Sequence, residues 1–350
     1  MRFLILSLLA LTWHTHASAE IVRSNTKWKV KPDFEKSSAA RESISGADCA
    51  PGNGLCLAAN DEKNYAQFFK IGKDSLAPDK KGVLRLLPKK VDGQKMDEID
   101  AEGVVFVPAQ GAKEQSYFYV TGSHGLSRSG EFQPSRYTLF RFPVKEGSGK
   151  PTFKFSDKKV APEIERTFLL AETIKANPDL APYADQTLDR NGVTIEGISE
   201  MDGDILLGFR SPCLDEQALI LRVPADELFR DTPPSSTVDK VRLGDNVGIR
   251  DLTRVEDGFL ILAGRSDDRR GSEDYTCGEK RKPPSPLPSV WFWSGKSGDQ
   301  AKPLGTLPGV KATASAETLL LLEDTKNAYR VLVLFDGEKN GKPVEFIVRR

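Results

Sequence analysis

Histidine is nearly missing from this chain. Of three in 350 residues, His14 and His16 fall in the first nineteen, so His124 is alone in the rest. That excludes a multi-histidine zinc centre and leaves one imidazole as a candidate acid, base or phosphate donor. Net charge is missing too. Lys plus Arg total 50 and Asp plus Glu total 50, so no overall field draws the chain to nucleic acid or to an anionic membrane. Beyond residue 19 no apolar run approaches the ~20 residues of a membrane-spanning helix. Cys49, Cys56, Cys213 and Cys277 include no Cys-x-x-Cys pair, which removes the usual zinc spacing.

Residues 1–19 have the layout of a secretory signal: Arg2, an apolar stretch from Phe3 to Trp13, and small residues Ala17-Ser18-Ala19 before Glu20. A retained anchor is the alternative. Cleavage predicts a periplasmic or secreted protein with no membrane span, and residues 20–350 as a single domain. Export also suits disulfides. The four cysteines allow three pairings; the turn-rich segment between Cys49 and Cys56 favours a bond across a hairpin, which leaves Cys213 for Cys277.

The strongest signal is repetition. Five times a strand opens on a small or acidic residue, at Ser45, Glu102, Glu196, Asp251 and Glu317, and a second apolar strand ends in a polar cluster. In the third copy, runs at Val193 to Glu200, Asp204 to Phe209, Ala218 to Val223 and Thr237 to Leu243 are separated by turn residues. The second copy reads the same way, with Thr152 to Phe155 as its outermost run. The fifth copy has only three runs, and Trp28-Lys29-Val30 near the N-terminus can supply the fourth. The predicted fold is all-β: a β-propeller of four-stranded blades, five counted, with the ring closed by an N-terminal strand. The long second interval contains helix-like spacing of Ile164, Phe168, Leu169 and Ile174, which predicts a helical insertion near 162–190; a hidden sixth blade is the alternative.

In a propeller the start of each inner strand and the end of the next strand lie at one mouth. Glu102, Glu196, Asp251 and Glu317 are therefore expected on an inner ring, with Asp61, His124, Arg210, Arg265 and Asp336 just outside it. Converging carboxylates could ligate Ca2+, or pair with Arg210 and Arg265 and hold the ring closed. The two arginines follow matching Gly-ended strands, and as guanidinium forks they suit an anionic ligand.

At Ile44-Ser45-Gly46, Ala101-Glu102-Gly103, Thr121-Gly122-Ser123-His124, Thr194-Ile195-Glu196-Gly197 and Gly208-Phe209-Arg210-Ser211-Pro212 the chain resembles a bacterial family of exported proteins, domain of unknown function 3616. The resemblance runs from about Ser43 to the C-terminus and implies no catalytic motif. More loosely, Glu102-Gly103 and Glu196-Gly197 are similar to the strand starts of esterase-like phytase propellers, from which Asp251-Leu252 and Glu317-Thr318 depart.

Two functions follow as expectations. The first is an exported propeller that binds a small or anionic ligand at the channel mouth, with or without Ca2+. The second is a metal-assisted phosphoester or ester hydrolase at that mouth, with His124 moving a proton, Arg210 and Arg265 holding phosphoryl oxygens and Glu102, Glu196 and Glu317 holding the metal.

Overall fold

A computed structural model describes residues 20–350 apart from 36, 53, 89, 92, 97, 112, 113 and 267–285. Five antiparallel blades form a closed ring, so the long interval holds no sixth blade among the described residues. From inner to outer strand, blade one is Ile44–Cys49, Cys56–Asn60, Tyr65–Ile71 and Ser75–Arg85; blade two is Ala101–Val107, Ser116–Gly122, Leu139–Val144 and Glu165–Thr167. Blade three is Thr194–Met201, Asp204–Leu214, Gln217–Pro224 and Thr237–Arg242. Blade four is Val247–Val255, Gly258–Arg265, Ser289–Trp293 and Lys302–Thr306. Blade five is Ser315–Asp324, Ala328–Asp336, Val344–Arg349 and, from the other end of the chain, Ile21–Arg23.

Ring closure by an N-terminal strand matches expectation, but a different segment performs it. Ile21 to Arg23 pair antiparallel with Val348 to Phe346. Lys29–Val30 instead runs parallel to Ser75 and Leu76 on the outside of blade one. The outer strand of blade two also differs: Glu165–Thr167 pairs with Leu139–Arg141, while Phe153 and Phe155 of the expected run pack against the core between blades one and two. The helical insertion is present as the helix Leu169–Ala176 with short turns at Ala181–Tyr183 and Leu188–Arg190. Its Leu170 and Ile174 bury against blades two and three.

The continuous apolar runs have a simple cause. Each blade is covered on both faces, so successive residues of a middle strand point into different cores. In blade four, Leu260 and Leu262 face blade five while Phe259 and Ile261 face blade three. Leu206 and Leu207 of blade three divide in the same way. The expected Cys49–Cys56 disulfide joins directly opposed residues of the first hairpin of blade one. The second expected bond, Cys213–Cys277, involves a residue outside those described.

Candidate functional site

Every inner strand carries an irregularity at the same place in its blade, and those of blades three and five carry a second one elsewhere. Pairing skips Ser45 between Ile44 and Gly46, Glu102 between Ala101 and Gly103, and Glu196 between Ile195 and Gly197. It skips Arg250 between Ile249 and Asp251, and Glu317 between Ala316 and Thr318. A bulged residue is released from the ladder and re-aimed. The equivalent ring is therefore Ser45, Glu102, Glu196, Arg250 and Glu317.

The residue after each bulge meets the next blade. A Cβ at Gly46 would lie 2.7 Å from the Glu102 carbonyl, and one at Gly103 would lie 2.6 Å from the Ile198 side chain. Glycine relieves that crowding in blades one to three. In blade four the same place holds Asp251, whose carboxylate reaches across to blade five and accepts the Leu319 N–H at 2.7 Å and the Leu252 N–H at 2.8 Å. Asp251 therefore does not join the acidic ring. It lines the cavity at the opposite end of the channel.

Arg250, which the acid-first repeat pattern does not single out, holds the mouth together. Its Nε lies 2.8 Å from Glu196 Oε2, and its Nη2 contacts Glu317 Oε1. Arg210 approaches Glu196 from the other side, Nη1 to Oε1, at 3.0 Å. The three central groups are at most 8% exposed, which puts a cation between two carboxylates out of water. The signal was in the hairpins. Glu196 and Arg250 each stand five residues before the last strand residue ahead of a two-residue turn, Met201 and Val255.

Two small cavities open at this mouth, of about 190 and 160 Å³, and they share Arg128, Arg210, Glu317 and Asp336. The first adds Arg250 and Arg265. The second adds Asp61, Asp100, Glu102 and Glu196, with Arg136. Both cavities hold both signs, but unevenly: the first has four arginines against Glu317 and Asp336, and the second has seven carboxylates against three arginines. Asp100 and Arg136 were not expected from sequence; they form an ion pair at 2.9 Å, and Arg136 also reaches Glu98 at 3.2 Å.

Burial and the neighbouring Glu196, Asp100 and Glu317 push the Glu102 carboxyl well above the usual range. Burial, helped by Asp336 and Asp100, lifts Asp61 to about 7. Glu317 is raised by burial despite the opposing Arg250.

The expected calcium set does not fit this arrangement. Asp251 faces elsewhere, Glu196 and Glu317 are taken up by Arg250, and among the described residues no group of three or more His, Cys, Asp or Glu is placed to hold a metal. A calcium ion takes six to eight oxygen ligands. His124 is also removed from the mouth. It is 1% exposed, sits at φ 55°, and packs edge-on against Tyr137 with ring centroids 5.8 Å apart. Neither ring nitrogen has a hydrogen-bond partner among the described residues, and burial lowers its pKa to about 3.

A family-wide sequence profile described as "Protein of unknown function (DUF3616)" matches residues 130–345, more than half of the chain. The chain belongs to this family. The match begins inside blade two, so the Ser45, Glu102 and His124 motifs lie ahead of it. No curated protein matches. Among solved structures, the glutaminyl cyclase of Myxococcus xanthus is 9% identical, with a TM-score of 0.37 over 92% of this chain and 97% of that one. A luciferin-regenerating enzyme is 8% identical, with a TM-score of 0.38 over 90% of this chain and 73% of that one. Likeness this loose carries nothing about activity.

Proposed function

We propose that this family member is an exported binding protein whose mouth takes a small polar molecule bearing both a negative and a positive group. The observation that carries the reading is the opposite balance of charge in two cavities that share four lining residues. An anionic group suits the side lined by Arg128, Arg210, Arg250 and Arg265, where positive charge outweighs the two carboxylates. A cationic group suits the side lined by Glu102 and Asp61, where it would restore both carboxylates to their charged form. Each cavity is smaller than the ~300 Å³ of the smallest drug-sized sites, which favours a ligand of few atoms. Export through residues 1–19 accords with the Cys49–Cys56 bond, since disulfides persist in oxidising compartments.

The hydrolytic alternative has less support, because His124 is buried away from the mouth and the described carboxylates make no oxygen cage. Thermal shift with free amino acids, simple amines and simple carboxylates tests the binding reading. A rise in melting temperature with zwitterions, and a smaller one with singly charged analogues, supports it. Equal responses to all three classes, or release of phenol from aryl phosphates by the purified protein, would refute it.

A further inference from the structure

Two turns from the long second interval meet over the acidic side of the mouth. Leu126, Ser127 and Arg128 come from the first, which precedes strand Leu139–Val144 of blade two. Thr187, Leu188 and Asp189 come from the second, at the end of the helical insertion. The turns touch: a Cβ on Gly130 would lie 3.5 Å from the Thr187 methyl group.

Both turns are fixed in place. Ahead of the first, the Ser123 N–H donates to the Asp100 carbonyl at 2.9 Å, and the Ser123 carbonyl accepts the Ile195 N–H of blade three at 2.8 Å. Within it, buried Ser127 accepts the Glu131 N–H through Oγ at 3.0 Å and donates its own N–H to the Glu131 carbonyl at 3.0 Å. Behind it, Phe132 packs on Tyr137 with ring centroids 4.6 Å apart, and Tyr137 packs on buried His124. The second turn is closed by the Gly192 N–H on the Thr187 carbonyl at 2.8 Å. Asn191 ties it to blade three, accepting the Cys213 N–H at 3.0 Å and donating to the Cys213 carbonyl at 3.2 Å. A wall anchored on two blades selects by shape, because it yields little to a larger guest.

The turns also change what the cavity offers. Among the described residues that line its acidic side, Leu126 and Leu188 are the only apolar side chains; the rest are charged, hydroxyl-bearing or glycine. These two leucines are thus the apolar surface available there to the carbon skeleton of a ligand.

We infer that Leu126 and Leu188 determine specificity at the mouth, bearing on the carbon skeleton of the bound zwitterion so that a small aliphatic amino acid is admitted and a branched-chain or aromatic one excluded. The inference rests on the charge reading of the mouth and adds a size class to it. Contact with the leucines favours an aliphatic skeleton by taking it out of water. The fixed turns and the cavity volume of about 160 Å³ set the upper limit, by clash with anything longer.

Calorimetric titration of protein prepared without residues 1–19 with alanine, leucine and phenylalanine tests the assignment. Alanine is expected to bind at least about tenfold more tightly than either larger amino acid. Leu188→Ala should narrow the gap between alanine and leucine by about fivefold or more, and Leu188→Trp should abolish alanine binding. Leu126→Ala, on the other turn, should narrow the same gap and carries the decision if Leu188→Ala fails to fold. Glu102→Gln should weaken every ligand that binds and leave their order unchanged. Leucine or phenylalanine binding as tightly as alanine, or a gap that neither leucine variant narrows while Glu102→Gln still weakens binding, would overturn this inference and leave the charge reading standing. Failure of all three amino acids to bind the unsubstituted protein would overturn both.

Discussion

Arg250 and Glu196 belong to different blades, yet Nε and Oε2 meet at 2.8 Å beneath the mouth, with both side chains almost out of water. Each sits at the bulge of its own inner strand. A second carboxylate, Glu317 of blade five, contacts the same guanidinium, so one arginine spans blades three, four and five.

Arg250→Met should therefore be strongly destabilising. It leaves Glu196 and Glu317 buried with their shared cation gone, a change that typically costs about 3–5 kcal/mol. Urea denaturation checks this. The triple variant Arg250→Met, Glu196→Gln, Glu317→Gln should recover much of the loss, because it removes the uncompensated charge.

Stability should fall as pH rises. Asp48, Asp61 and Asp251 have folded pKa values of about 6, 7 and 8, each raised above the ordinary 3.8 mainly by burial. The folded protein thus holds protons that the unfolded chain releases. Their stabilising contribution is complete below about pH 4 and is lost between about pH 4 and 8. Melting temperatures across that window should decline, and Asp61→Asn should flatten the decline near neutrality.

The Cys49–Cys56 bond closes a short hairpin loop. Loop-entropy arguments give such a bond about 2–3 kcal/mol. The double variant Cys49→Ala, Cys56→Ala should show a loss of this size in denaturant, with Cys213 and Cys277 untouched.

His124 should not titrate near neutrality. As the sole histidine after residue 19 it gives one imidazole signal in protein prepared without residues 1–19. Burial holds its ring neutral down to about pH 3. Proton NMR should find its shift constant between about pH 5 and 8, against an unperturbed midpoint near 6.5. A midpoint in that range would place the ring in water.

The propeller was legible because covered blades demand apolar strands, and turn residues mark where those strands end. Glu102, Glu196 and Glu317 were legible as strand starts. Arg250 was not, because Asp251 beside it mimics the acid-first pattern while occupying the place of Gly197. A one-residue bulge leaves no compositional trace, so only the spacing to the following two-residue turn, the same from Arg250 as from Glu196, separates the two. Ile21–Arg23 is not legible as the closing strand because a three-residue edge strand carries too little periodicity. His124 looked available because the end of a second strand usually faces solvent; here the ring is buried and packs against Tyr137.

The proposed ligand of the mouth is held by opposite charges on its two sides. The most direct measurement is calorimetric titration of the mature protein with the best zwitterion from the thermal-shift panel, repeated on Glu102→Gln and Arg210→Met. Saturable binding that weakens by about tenfold or more in each variant is the predicted result. Binding that survives both substitutions unchanged would contradict it.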